Sequence, residues 1–149
     1  MEAGDQIPVI DPDQYAALVR DASDDQLAEG MRVNRELILG EIFRRMSDHF
    51  DAGKAGKVEA IIEWRILEPE EGEYDRWQMV IENGRCVVSR DGDRKPSVIY
   101  TVGPVDFIRL ISGNKSGPEL FMLGKLKVRG NLMLAARMPA WFRIPGADG

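Results

Sequence analysis

Trp77-Gln78-Met79-Val80-Ile81-Glu82-Asn83-Gly84-Arg85-Cys86-Val87-Val88-Ser89-Arg90 is the stretch that decides the fold. Trp77, Met79 and Ile81 alternate with Gln78 and Glu82, the period-two pattern of a strand with one buried face. Asn83-Gly84 then supplies two residues that tolerate positive φ, the strongest short-range hairpin signal. Cys86 to Arg90 return as an antiparallel partner.

Working outward, Val58, Ala60, Ile62, Trp64 and Ile66 alternate with Glu59, Glu63 and Arg65. This predicts an earlier strand with the charged residues facing water, joined through an acidic loop at Pro69 to Gly72. On the other side, Asp91-Gly92 begins a turn and Ser97 to Val102 make a fourth strand. Antiparallel pairing through short turns is the expectation for all four.

Helical periods flank this sheet. Asp11-Pro12 offers a cap followed by a proline at the first helical position. Ser23 and Gln26 have capping-box spacing for a second helix running to about Phe50, with a break expected near Gly30. Within it Leu39, Ile42, Phe43, Met46 and Phe50 recur at three- and four-residue steps, so one stripe faces a core. After Gly103-Pro104, Phe107, Ile108, Leu110 and Ile111 crowd one helix surface, and Gly113 stops it. Ser116 and Glu119 cap a short helix through Met122. Leu126 to Arg129 read as a brief strand, and Leu132 to Met138 as a helix that Pro139 bends or ends. Residues 1–10 read as a loose tail.

A chain of 149 residues is about the size of one domain and can bury a sizeable core without staples. The net charge of −5 and pI near 5.0 argue against a nucleic-acid partner, which requires a basic face. Cys86 is the only cysteine, so no internal disulfide and no Cys-based zinc site can form. The first residues lack the basic and apolar regions of a secretory signal. No apolar run reaches 18 residues, and Ala147-Asp148-Gly149 is no peroxisomal address. A cytoplasmic location is expected.

The chemistry-bearing residues are sparse. His49 is the single histidine, placed near a helix C-terminus where the dipole mildly favours a cation. Cys86 falls in a strand as a small hydrophobe, with only Arg85 nearby to lower its pKa. The acidic run Glu68, Glu70, Glu71, Glu73 and Asp75 contains Pro69 and lacks the order of a calcium loop, so it reads as solvated. The glycines from Gly103 to Gly117 form no phosphate-binding pattern. No catalytic residue, metal or cofactor is expected. On pattern alone the reading ends at an α+β domain with an apolar interior.

The second half nevertheless resembles the sterol carrier protein type two (sterol-binding domain) family. Ile81-Glu82-Asn83-Gly84-Arg85 is similar to that family's strand and Asn-Gly turn. Asp106-Phe107-Ile108-Arg109-Leu110-Ile111-Ser112-Gly113 resembles its Asp-Phe-x-x-Leu-x-x-Gly helix. Phe121 to Asn131, holding Gly124-Lys125-Leu126-Lys127, resembles its Gly-Lys-Leu-Lys-x-x-Gly-Asp/Asn block, and Leu134-Ala135 with Met138 continue into its last helix. The ordered set covers residues 81 to about 142, and the element order extends it back to about Arg35. Leu132-Met133 departs from the usual Met-Gly, and Pro139 interrupts the final helix.

The resemblance implies a five-stranded, mostly antiparallel sheet covered on one face by helices, in an α+β fold. Residues 1–31 would be a tail and helical extension, and residues 32–149 the lipid-binding domain. It implies an apolar tunnel accepting a sterol-like lipid, a fatty acid or an acyl-CoA, without enzymatic activity. Ile62, Trp64, Trp77 and Met79 would line its sheet side. Phe107, Ile111, Phe121, Met122, Leu126, Leu132, Met133 and Ala136 would line its helical side. The alternative is an accessory subunit of a lipid- or acyl-CoA-metabolising enzyme, its tunnel plugged by Leu132-Met133. Transient contact with a membrane surface through Lys125, Lys127 and Arg129, a homodimer, or an enzyme partner would be compatible with either.

Overall fold

The computed structural model describes residues 12–142, with side chains from residue 17 onward. The expected tail over residues 1–10 and the capping role of Asp11 lie outside the described residues. The order of elements is α1 (Pro12–Asp21), α2 (Asp24–Asp48), α3 (Ala52–Ala55), β1 (Ala60–Leu67), β2 (Tyr74–Glu82), β3 (Arg85–Arg90), β4 (Val98–Val102), α4 (Pro104–Ile111), α5 (Gly117–Met122), β5 (Leu126–Gly130), α6 (Leu132–Arg137) and a 3₁₀ turn at Met138–Trp141.

The five strands stand in the order β3-β2-β1-β4-β5. Asn83 (φ 54°) and Gly84 (φ 72°) adopt the positive φ that a tight two-residue hairpin needs. This fixes the β2–β3 register, with Ile81 opposite Cys86. Trp64 faces Trp77 across β1 and β2. The expected run of antiparallel neighbours stops at β3, however. β4 crosses to the far side of β1 and pairs with it in parallel, Trp64 opposite Tyr100. β5 then closes that edge antiparallel to β4. Gly130, at φ 97°, ends β5 where an added Cβ would lie 2.3 Å from the Ser97 carbonyl oxygen.

Alternation puts Ile62, Trp64, Trp77, Met79, Tyr100 and Leu126 on one face, all buried. The opposite face departs from the expected polar-out reading, because Glu63 and Gln78 are 3% and 1% exposed. Gln78 Nε2 donates to Glu63 Oε1 (2.8 Å) and to the Arg94 carbonyl (2.7 Å). Arg65 Nε donates to the other Glu63 oxygen at 2.6 Å. The turn through Gly92 and Arg94 lies against this pair, so the two polar side chains are buried with their hydrogen bonds satisfied.

The helices pack on the apolar face. Ser23 and Gln26 form the expected capping box at the start of α2. The break in α2 falls at Asn34 (φ −126°, ψ 33°) and not at Gly30. Beyond it Leu39, Ile42 and Phe43 turn inward, and Phe43 stacks on Trp77 at 4.8 Å and on Phe107 of α4 at 5.3 Å. Trp64 leans on the same cluster, 5.2 Å from Phe107. Aromatic rings therefore pack over β2 and the adjoining side of β1. α6 ends at Arg137, one residue before the expected Met138, and Pro139 sits in the 3₁₀ turn that follows.

α2 runs through residue 31, and Val19 and Met31 both belong to the core.

Candidate functional site

Over the other half of the sheet the packing is not closed. A cavity of about 600 Å³ lies between β4, β5 and the helices that follow β4. Its sheet wall is Trp64, Tyr100, Leu126 and Val128, successive inward positions of β1, β4 and β5. Leu110 and Ile111 of α4 and Pro118 and Phe121 of α5 form one side. Leu132, Ala135 and Ala136 of α6, with Met138 and Pro139 of the 3₁₀ turn, form another. Met46 and Phe142 complete it toward α2, and the polar lining is confined to residues such as Lys115 and Ser116.

The local sequence explains this shape. Ser116 caps α5 by accepting from the Glu119 amide (3.1 Å), and Asn131 caps α6 by accepting from the Leu134 amide (3.1 Å). α5 and α6 are thus short, independently started helices of six residues each. Two short helices and the small side chains of Ala135 and Ala136 cannot fill the volume that α2 fills with Phe43 on the neighbouring strands.

Six of the residues expected on the tunnel wall are brought together here: Trp64, Ile111, Phe121, Leu126, Leu132 and Ala136. Ile62, Trp77, Met79 and Phe107 are not on the cavity wall; they are buried in the core, Trp77 and Phe107 against Phe43 of α2. Met122 and Met133 are not on it either, being 83% and 76% exposed. Leu132 reaches the cavity while remaining 63% exposed, so the Leu132-Met133 pair borders an opening and does not plug it.

Tyr100, Val128, Leu110, Ala135 and Met138 line the cavity and were not anticipated. The alternation of β4 and β5 carries the signal for the first two. Which half of the sheet α2 covers is a tertiary fact that no alternation encodes.

Tyr100 is the main polar group of the sheet wall. Its ring stacks on Trp64 at 4.5 Å, and its hydroxyl donates a long 3.4 Å contact to the Ala135 carbonyl. Burial pushes its phenol up to about 12. The Trp64 indole N–H is buried with no hydrogen-bond partner. Lys115 lies 3.9 Å from Asp106.

The candidate chemical groups lie apart from this cavity. His49 caps α2, its Nδ1–H donating to the Arg45 carbonyl at 2.8 Å. Cys86 is buried and desolvation pushes its thiol up to about 11, away from thiolate character. Asp75, at the end of the acidic run, is not solvated. It accepts from Arg35 Nε at 2.6 Å and from Arg90 at 3.2 Å. Among the described residues no group of three or more His, Cys, Asp or Glu side chains could hold a metal ion. No described helix is long and apolar enough to cross a membrane.

A five-stranded mixed sheet with helices on its apolar face defines an α+β domain of the sterol carrier protein type two-like fold. The solved apo structure of sterol carrier protein 2 from Yarrowia lipolytica is similar, with a TM-score of 0.56 and 26% identity. That match covers 66% of this chain and 84% of the other. Residues 39–143 match the SCP-2 sterol transfer family. The chain belongs to that family, and membership implies lipid binding or transfer. Among relatives, the oleate-induced peroxisomal protein POX18 of Candida maltosa is 29% identical, over 74% of this chain and 87% of that protein. Human sterol carrier protein 2 is 25% identical over 80% of this chain, which spans only 21% of the human protein.

Proposed function

We propose that this chain is a non-enzymatic binding or carrier protein for one apolar ligand, a sterol-like lipid, fatty acid or acyl-CoA, held in the cavity over β4 and β5. The observation that carries this reading is an open volume of about 600 Å³ whose wall is mostly aliphatic and aromatic. Small-molecule sites run from roughly 300 to 1,000 Å³ and are lined in this way. Each buried methylene contributes ~0.8 kcal/mol gross. A twelve-methylene chain therefore offers roughly 10 kcal/mol before ordering and immobilisation costs, enough for useful affinity without any charged anchor. The wall residues assigned to the ligand are Trp64, Ile111, Phe121, Leu126, Leu132 and Ala136, together with Tyr100, Val128 and Ala135.

The separation of His49 and Cys86 from the cavity supports carriage over catalysis, and no cofactor is needed for it. A cytoplasmic location belongs to the same proposal. A second reading, an interaction or accessory subunit of a lipid- or acyl-CoA-metabolising enzyme, draws support from the likeness to peroxisomal multifunctional enzyme type 2 of Mus musculus, 29% identical over 74% of this chain and 15% of that protein. It does not draw support from a plugged cavity, since Leu132 and Met133 stand at its edge or outside it.

Native mass spectrometry of protein purified from cells tests the proposal. Carriage predicts an added mass of one lipid that organic extraction removes. Protein that arrives empty, and takes up no fatty acid, sterol or acyl-CoA when offered each, contradicts it.

A further inference from the structure

The hydrogen bond from Tyr100 to Ala135 joins two residues of the cavity wall, and it is a poor one. The hydroxyl on β4 and the carbonyl on α6 stand 3.4 Å apart. Good O–H···O bonds run nearer roughly 2.7–2.8 Å.

The sequence explains why Ala135 has an acceptor to spare. In a continuing α-helix its carbonyl would take the N–H four residues on, but that residue is Pro139, which has none. The Met138 N–H, one residue earlier, is given to the Leu134 carbonyl. Tyr100 is the side chain that reaches the spare oxygen, and burial keeps its phenol protonated well past neutral pH. The other polar side chains of the wall are not placed to help. Ser116 caps α5, Lys115 lies toward Asp106, and the Trp64 indole nitrogen is closed off from open space.

A ligand oxygen about 2.8 Å from both atoms would close this gap. It would accept from the phenol and donate to the carbonyl, so two bonds of ordinary length replace one long one. A hydroxyl carries the lone pair and the proton that this needs. A carboxylate accepts but cannot donate, and it would set its charge against the Ala135 oxygen away from water. An alkyl end does neither.

We infer that the Tyr100 hydroxyl and the Ala135 carbonyl, left spare by Pro139, form a seat for an uncharged hydroxyl, so that the pair favours a lipid alcohol over the matching fatty acid. The inference rests on the carrier reading and names the polar end of its ligand. A fatty acid in the same cavity leaves its carboxylate toward Lys115 and water, with only its chain inside.

The test is displacement of a fluorescent fatty acid from the full chain by hexadecanol, palmitate and hexadecane, with cholesterol and cholestane as a second pair. Each affinity is measured in the parent and in Tyr100→Phe, with a thermal melt of each protein. Ratios between ligands are compared, so a change of shape common to all of them cancels. Tyr100→Phe is expected to cut the affinity of an alcohol about tenfold relative to its hydrocarbon and to palmitate, which is what one buried hydrogen bond contributes. A loss confined to hexadecanol assigns the seat to chain alcohols and one confined to cholesterol assigns it to sterols; either upholds it. Pro139→Ala returns an N–H to the Ala135 carbonyl and should lower the same ratio by about threefold or more. It decides the matter if Tyr100→Phe fails to fold.

Equal losses for alcohol and hydrocarbon, no loss in a folded variant, or a loss largest for palmitate overturn the seat and leave the carrier reading standing. A folded parent that binds neither the fluorescent acid nor any of the five ligands removes the carrier reading itself, and the seat with it.

Discussion

The guanidinium of Arg109 on α4 donates to the Asp24 carboxylate at the start of α2, Nη2 to Oδ1 at 2.7 Å. The same side chain donates to the carbonyls of Val19 (2.7 Å) and Ala22 (2.9 Å), and it is only 9% exposed. One buried cation thus satisfies the carbonyl end of α1 and clasps it to the helix beside the cavity. Arg109→Met removes the donor and strands two carbonyls, so a loss of about 2–3 kcal/mol is expected in urea unfolding. Asp24→Asn should cost much less, because its carboxylate is 72% exposed. Equal costs for the two would show that the charge pair, and not the carbonyls, holds the clasp.

The hydrogen bond from Arg109 also holds the Asp24 carboxyl below its ordinary value of 3.8. A depressed carboxyl stabilises the fold above its unfolded pKa and stops doing so as pH falls through the folded one. The difference between the parent and Asp24→Asn should therefore be flat above about pH 5 and close below pH 4.

At the alkaline end the sign reverses. Burial raises the Tyr100 phenol to about 12 and the Cys86 thiol to about 11, from ordinary values of 10.0 and 9.0. Both stay neutral when folded and ionise when unfolded, so their contribution is complete below pH 9 and is lost as pH rises toward 12. Two pKa units correspond to on the order of 2–3 kcal/mol. Thermal melts from pH 8 to 12 should fall less steeply for Tyr100→Phe than for the parent. Parallel curves would show that the phenol is reached by water.

Ala135 lines the cavity from α6 and is only half-buried, so a larger side chain has somewhere to go. Ala135→Phe should displace about two methylenes of a bound chain and weaken fatty-acid binding roughly tenfold. Its melting temperature should not fall, since the new ring fills space that was open. An unchanged affinity, read by displacement of a fluorescent fatty acid, would place the ligand elsewhere.

Much of the fold was legible because it is locally encoded. Asn83-Gly84 and the alternation through Trp77, Met79 and Ile81 specify the β2–β3 hairpin, and Ser23, Ser116 and their partners mark helix starts within one residue. The parallel β1–β4 pairing was not legible from periodicity, because a strand's own pattern is the same whichever neighbour it finds. Glu63 and Gln78 misled for a related reason: the backbone of Arg94, sixteen residues on, hydrogen-bonds Gln78, and Gln78 in turn donates to Glu63 on the neighbouring strand. The site was legible in kind and only partly in place. The inward residues of both halves of the sheet are apolar, so nothing local separates Met79, buried in the core away from the cavity, from Val128, facing the cavity.

The most direct measurement is a nuclear Overhauser experiment on the full chain carrying a uniformly labelled fatty acid. Chain methylenes should show contacts to the methyl groups of Leu126, Val128 and Ala135. Contacts confined to the exposed Met122 and Met133, or none at all with the protein folded, would contradict an apolar ligand held between β5 and α6.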